Sequence, residues 1–215
     1  MGDVRTADYI CGKMVDLLET RPLYCLKITE FVKFAGIGRS TFYMYFDSVY
    51  DVLQKVEDEF FDAMQRVDSY DPITDLLIRD DDTARSLGPV MDYLGKNLRL
   101  IRILSGPNGH PAFEARMVGY IRDLGIQFSK AHNTTATDEE QVQLSEFVAG
   151  GAMASLKWWA NHEGNFNSDA AFRIFLLESR SIVRLLQSGR RREGAASLQP
   201  QQAPGRAIGH DKDRV

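Results

Sequence analysis

Residues 28–46, ITEFVKFAGIGRSTFYMYF, constrain this chain more than any other stretch. Ile28, Phe31, Val32 and Ala35 recur at helical spacing, which gives a first short helix one apolar face. Gly36 follows at once, where a left-handed residue, cheap for glycine alone, ends that helix. Ile37 plugs the turn, and Gly38 serves as a tolerated N-cap for a second helix. In that second helix Phe42 and Phe46 share a buried face at i, i+4. Arg39, Ser40, Thr41, Tyr43, Met44 and Tyr45 are left around the exposed arc. Two short helices so joined read as a helix-turn-helix, which presents its second helix to the major groove of DNA. A guanidinium can fork onto guanine there, while hydroxyls and free backbone N–H groups hold phosphates.

With these residues in place, Ala35-Gly36-Ile37-x-Arg39-x-Thr41-Phe42-Tyr43-x-Tyr45-Phe46 resembles the signature of the TetR family of transcriptional regulators. The resemblance covers about residues 10–188 and implies an all-α fold. An N-terminal three-helix helix-turn-helix domain would occupy 1–47, and a helical ligand-binding and dimerisation domain 48–188. Arg39 and Ser40 stand where members of the family read bases, and Thr41 and Tyr43 where they hold phosphate. Thr29 stands near the start of the preceding helix, where a basic DNA-contacting residue is common. With Met44 and Tyr45 on the same arc, these residues form the expected DNA-binding set. The sequence departs from the family pattern at three points. Lys27 replaces a usual threonine, Gly38 replaces a polar cap, and Val49 replaces the lysine common at the next helix start, which removes a phosphate contact.

Charge sets a limit on the DNA reading. The 215 residues carry a net charge of −4, and within 1–50 six basic residues are balanced by six acidic ones. Non-specific DNA affinity is built from basic side chains on phosphates. This reader should therefore hold DNA weakly except where Arg39, the hydroxyls and the helix ends all fit. Hydrophobic content of 44% is ordinary for a globular protein, and no window approaches the ~18 apolar residues of a membrane span. MGDVRTADYI lacks the pattern of a signal peptide, so a cytoplasmic protein is expected. Cys11 and Cys25, without CxxC or His-spaced company, are expected as buried, reduced thiols, a redox pair being the alternative.

Along the rest of the chain, Ile10, Met14, Leu17 and Leu18 predict a bracing helix over 9–19, broken by Arg21-Pro22, after which Leu23-Tyr24 should pack back on the small core. Asp47 or Ser48 caps a long helix whose stripe is Val52, Leu53, Val56, Phe60, Met64 and Val67. Residues 57–82 hold ten Asp or Glu against Arg66 and Arg79; Asp80-Asp81-Asp82 lacks the alternating ligands and glycine of a calcium loop and reads as a solvated loop. One or two helices fill 84–105 and stop at Ser105-Gly106-Pro107. Pro111 suits the first position of a helix running to about His132. A linker at 133–136 leads to a capped start at Thr137. Long helices at 138–162 and 168–188 flank a turn at 165–168, and from Gly189 the composition reads as a disordered tail over 189–215.

Two stretches further resemble one C-terminal subgroup of the family, that of the regulators of dihydroxyacetone kinase operons. They are Leu104-Ser-Gly-Pro-Asn-Gly-His-Pro-Ala-Phe113 and Phe147-Val-Ala-Gly-Gly-Ala-Met-Ala-Ser-Leu-Lys-Trp-Trp159. The family reading implies a double-stranded DNA operator, a homodimer, and either a small-molecule effector or a protein partner. Candidate walls for an effector pocket are Met91, Tyr93, Phe113, Met117, Tyr120, Met153 and one of Trp158 or Trp159. Adjacent helical residues point about 100° apart, so only one tryptophan can face inward. Candidate dimer residues are Ile182, Leu185 and Leu186 on the last helix, with the small band Ala149 to Ser155 permitting close helix approach.

No catalytic constellation is visible. His110, His132, His162 and His210 are scattered, and no HExxH, GxSxG, Walker or dinucleotide motif occurs. No enzyme activity, metal or cofactor is expected; a helical enzyme or a pure interaction module is the competing class.

Overall fold

A computed structural model describes residues 4–67, 83–131, 137–162, 170, 171 and 174, apart from the side chains of 83–87 and 128–131. All of these belong to one compact unit, Met1–Ser179. The acidic run at 80–82, the linker at 133–136, the turn at 165–168, most of the helix expected over 168–188 with Ile182, Leu185 and Leu186, and the tail from Gly189 lie outside the described residues. Among the described residues the structure is helical, with no strand.

Helix α1 (Val4–Leu18) buries Ile10, Cys11, Met14, Leu17 and Leu18. It begins earlier than the apolar spacing predicted, because its first two residues, Val4 and Arg5, are exposed and extend no apolar stripe. The chain turns at Thr20 and Arg21, whose N–H groups both donate to the Leu17 carbonyl, and a single 3-10 turn follows at Leu23–Cys25. Leu23 is buried there, whereas Tyr24, expected to pack inward beside it, is 78% exposed. Consecutive residues of a tight turn diverge, and here Leu23 is the one that turns inward. Cys25 on the same turn is also exposed, which corrects the expectation of two buried thiols.

Helix α2 (Ile28–Ala35) buries Phe31, Val32 and Ala35. Gly36 ends it with φ 68° and ψ 29°, the left-handed conformation that a Cβ penalises. Ile37 N–H reaches back to the Val32 carbonyl at 3.0 Å, closing the wide hydrogen-bonded loop of a glycine-terminated helix. The Tyr9 hydroxyl of α1 donates to the Ala35 carbonyl at 2.9 Å, tying α1 to the end of α2. Helix α3 (Arg39–Tyr43) starts from Gly38, and α4 (Val49–Val67) runs for about 28 Å at 1.5 Å per residue. Of the two candidate caps for α4, Ser48 is the one used. Its hydroxyl accepts from Asp51 N–H at 3.1 Å while the Asp51 carboxylate accepts from Ser48 N–H at 2.9 Å.

Beyond α4, the expected segment at 84–105 is two helices, α5 (Thr83–Lys96) and α6 (Leu98–Leu104), parted at Asn97. Asn97 donates through its side chain to the Tyr93 carbonyl, and the Tyr93 hydroxyl donates to the Phe60 carbonyl of α4 at 2.9 Å. The turn after α6 depends on glycine: a Cβ at Gly109 would lie 2.1 Å from the Leu104 carbonyl oxygen, and one at Gly106 2.7 Å from that of Arg102. Helix α7 (Pro111–Ala131) and helix α8 (Asp138–Ala160) pack antiparallel, since Glu114 pairs with Lys157 at 2.8 Å and Arg122 with Glu146 at 3.2 Å. A reciprocal cap between Thr137 and Glu140 fixes the start of α8. The close approach of these two helices comes at Gly125, where a Cβ would stand 3.0 Å from the Ser145 hydroxyl. Of the small band, Ala149 is fully buried, while Gly150 and Gly151 are exposed with nothing within 4 Å of an added Cβ.

Candidate nucleic-acid interface

The interface is built outward from Phe42. Its ring, fully buried, meets Phe31 of α2 edge-on with centroids 5.8 Å apart, and lies 6.1 Å from Phe46. These contacts fix which side of α3 faces the protein. The opposite side carries Arg39, Ser40, Tyr43 and Met44, all exposed, with Tyr43 at 54% and Met44 at 67%. Thr29 is exposed on the first turn of α2. Two of the expected contact residues sit differently. Thr41 is half-buried, and Tyr45, placed on the exposed arc by helical spacing, is half-buried and packed against the core. The reason lies in the backbone: α-helical geometry ends at Tyr43 rather than continuing to Phe46. Met44 N–H is shared between the Ser40 and Thr41 carbonyls at 3.2 and 3.3 Å, and Tyr45 N–H goes to Phe42 at 3.0 Å. This tighter last turn rotates Tyr45 inward relative to an ideal helix.

The surface around α3 is electrostatically sparse. Lys27, Lys33 and Arg39 are exposed, as are Glu30 and Asp47 close by in sequence. Sequence spacing also missed exposed rings close in sequence to α2 and α3: Tyr24, Phe34 at 48% and Tyr50 at 50%. Tyr50, on the first turn of α4, lies edge-on to His110 at 6.3 Å. Only solvent exposure separates such rings from the core aromatics that share their spacing.

No family model matches the sequence, and no curated protein matches it. Among solved structures, a TetR transcriptional regulator from Streptococcus agalactiae 2603V superposes with a TM-score of 0.55 at 18% identity, over 81% of this chain and 93% of that one. The chain has the fold of the TetR regulators. The dihydroxyacetone kinase operon activator DhaS also matches, with a TM-score of 0.43 at 17% identity over 87% of this chain and 97% of that one.

In this TetR fold the residues expected around an effector pocket divide into three groups. Phe113, Met117, Met153 and Trp159 are buried in one continuous core, with Phe113 fully enclosed beside Phe60 and Phe61 at 5.4 and 5.6 Å. Met91, Tyr93 and Tyr120 pack on its edge. Trp158 is 51% exposed and lies stacked on His162 at 4.2 Å, so Trp159 is the inward tryptophan. One polar atom in this region is unsatisfied. Glu57 on α4 is buried with its Oε1 lacking a hydrogen-bond partner, and burial raises its carboxyl above the usual range despite the nearby Arg116. Arg116 itself is engaged with Asp58 at 2.5 Å and lies over the Phe61 ring.

A polar clasp joins α1 to the α6 end of the fold. Arg99 forks between Glu19 at 2.8 Å and Asp16 at 3.0 Å, and its guanidinium, with Lys13, holds Asp16 below the usual carboxylate range. Close by, Leu23 N–H donates to the Asn108 carbonyl at 3.0 Å, and the Asn108 side chain donates to the Glu19 carbonyl at 3.3 Å. Among the described residues no group of His, Cys, Asp and Glu could hold a metal ion, and no helix is long and apolar enough to cross a membrane.

Proposed function

We propose that this chain is a sequence-specific DNA-binding transcriptional regulator of the TetR type, acting as a repressor. The observation that carries the proposal is the anchoring of Phe42 and Phe46 in the core, which turns Arg39, Ser40, Tyr43 and Met44 outward on a helix held by a second one. In this reading 1–47 is the reader and 48–188 the regulatory and dimerisation domain. Arg39 reads a guanine, Ser40 and Met44 face base edges, and Thr29, Thr41, Tyr43 and Tyr45 serve the backbone and the positioning of α3. A lone helix-turn-helix spans few base pairs, so a homodimer on a near-palindromic operator is proposed, its half-sites about one helical turn, ~34–36 Å, apart. The exposed apolar stripe of α8, with Phe147 at 71% and Trp158 at 51%, supports a further contact surface, and Ile182, Leu185 and Leu186 remain the proposed dimer residues.

A small-molecule inducer is proposed to act through the helices from α5 to α8 by favouring a conformation that does not fit DNA; a coupling of ~1–3 kcal/mol suffices. The exposed α8 stripe favours a second reading in which a protein partner gives that signal. No catalysis is assigned. The test is to select bound fragments from the source genome with the full-length protein, then footprint them. A protected region with two-fold symmetry supports the proposal. Absence of any site-specific protection, or a monomer by sedimentation on the bound fragment, overturns it.

A further inference from the structure

Resting on the DNA reading above, we infer that Met44 reads the 5-methyl group of a thymine in each half-site. The operator would thus need that methyl itself, apart from the hydrogen-bonding edge of the base.

Met44 closes α3 as its C-cap residue, helical at φ −73° and ψ −18°, two residues from both Phe42 and Phe46. Those two residues mark the buried side, at 0% and 7% exposure, whereas Met44 belongs to the outward face. Its N–H, shared between the Ser40 and Thr41 carbonyls at 3.2 and 3.3 Å, ties it to the turn that carries Ser40. The side chain is 67% exposed, more than Tyr43 beside it. Met44 is not part of the hydrophobic core that holds Phe42 and Phe46.

Chemistry then narrows the ligand. A thioether donates no hydrogen bond and accepts only weakly. Base edges in the major groove offer donors, acceptors and one apolar group, the thymine methyl. An unbranched, polarizable side chain on the outward face of the reading helix complements only the last of these. The charge balance of the reader raises the weight of such a contact. With six basic and six acidic residues in 1–50, little affinity comes from phosphates alone.

The test uses the full-length protein and an operator duplex that it selects from a random-sequence pool. Each thymine of that duplex is then replaced singly by deoxyuridine, which removes the methyl and leaves pairing intact. One replacement per half-site should weaken binding about fourfold, the ratio expected for one methyl-sized group withdrawn from contact. That penalty should vanish in Met44→Ala and persist in Met44→Leu. Uniform binding by every deoxyuridine duplex would overturn the inference, as would a penalty unchanged in Met44→Ala, while the regulator reading would stand. Failure of the pool to converge on any sequence would overturn both.

Discussion

Phe42 meets Phe31 edge to face, ring centroids 5.8 Å apart and planes at 71°, and this contact couples the outward helix to the one that supports it. Everything proposed for the outward face depends on that anchor. Phe42 and Phe31 are both fully buried, so Phe42→Ala should destabilise the protein by about 3–5 kcal/mol. Denaturant unfolding would measure the loss, and operator binding should fail together with stability. A variant that kept its stability would show that the anchor is dispensable.

The two thiols should behave as opposites. Burial, with Glu59 assisting, pushes the Cys11 thiol up to about 12, so almost no thiolate exists there at neutral pH. Cys25 is exposed. A chromogenic disulfide reagent should therefore titrate one equivalent rapidly in the native protein and the second only on unfolding. Two fast equivalents would contradict the placement of Cys11.

The clasp at Arg99 should contribute modestly and depend on pH. Its partners Asp16 and Glu19 are each 40% exposed, which limits the whole contact to about 1 kcal/mol and makes it sensitive to salt. Asp16 is held below its usual 3.8, so its stabilisation is present above that value and lost as pH falls through the lower folded one. Asp16→Asn should lower the urea midpoint at neutral pH, and the difference from the parent should close as the pH is brought below 3.8.

Glu57 should show the reverse sign. Its carboxyl is raised by burial, with Asp58 adding to the effect and Arg116 opposing it, so the folded state binds its proton more tightly than the unfolded chain. Stability from this group is present at low pH and lost as pH rises through the folded value. Glu57→Gln removes a buried charge without removing volume and should stabilise the protein at neutral pH by roughly 1 kcal/mol. A destabilised Gln variant, measured by thermal unfolding at neutral pH, would mean that the carboxylate has a partner in solution.

Much of the fold was legible because short-range rules decided it. Gly36 adopts the left-handed cap that its place after Ala35 demanded, and Thr137 with Glu140 forms the cap expected from their spacing. Pro111 opens its helix and Asn97 divides a segment read as one helix or two. Where the outcome depended on a fraction of a turn or on which of two neighbours the core could accept, the sequence was silent. Tyr45 lies further inward than a regular helix would put it, because the last turn of α3 tightens. Leu23 enters the core while Tyr24 and Cys25 remain outside. Phe113 and Met117 are buried at 0% and 2%, a degree of burial that apolar spacing alone does not assign.

We propose that α3 reads bases through Arg39 while Tyr43 serves the backbone. Binding isotherms on the selected operator and on its single-base variants, for the parent, Arg39→Ala and Tyr43→Phe, test it most directly. Arg39→Ala should weaken operator binding by roughly 1–3 kcal/mol and erase the preference at one base position in each half-site, whereas Tyr43→Phe should weaken every sequence about equally. If Arg39→Ala instead lowered affinity uniformly across all variants, with base preferences intact, Arg39 would not be a base reader and the account of this interface would be contradicted.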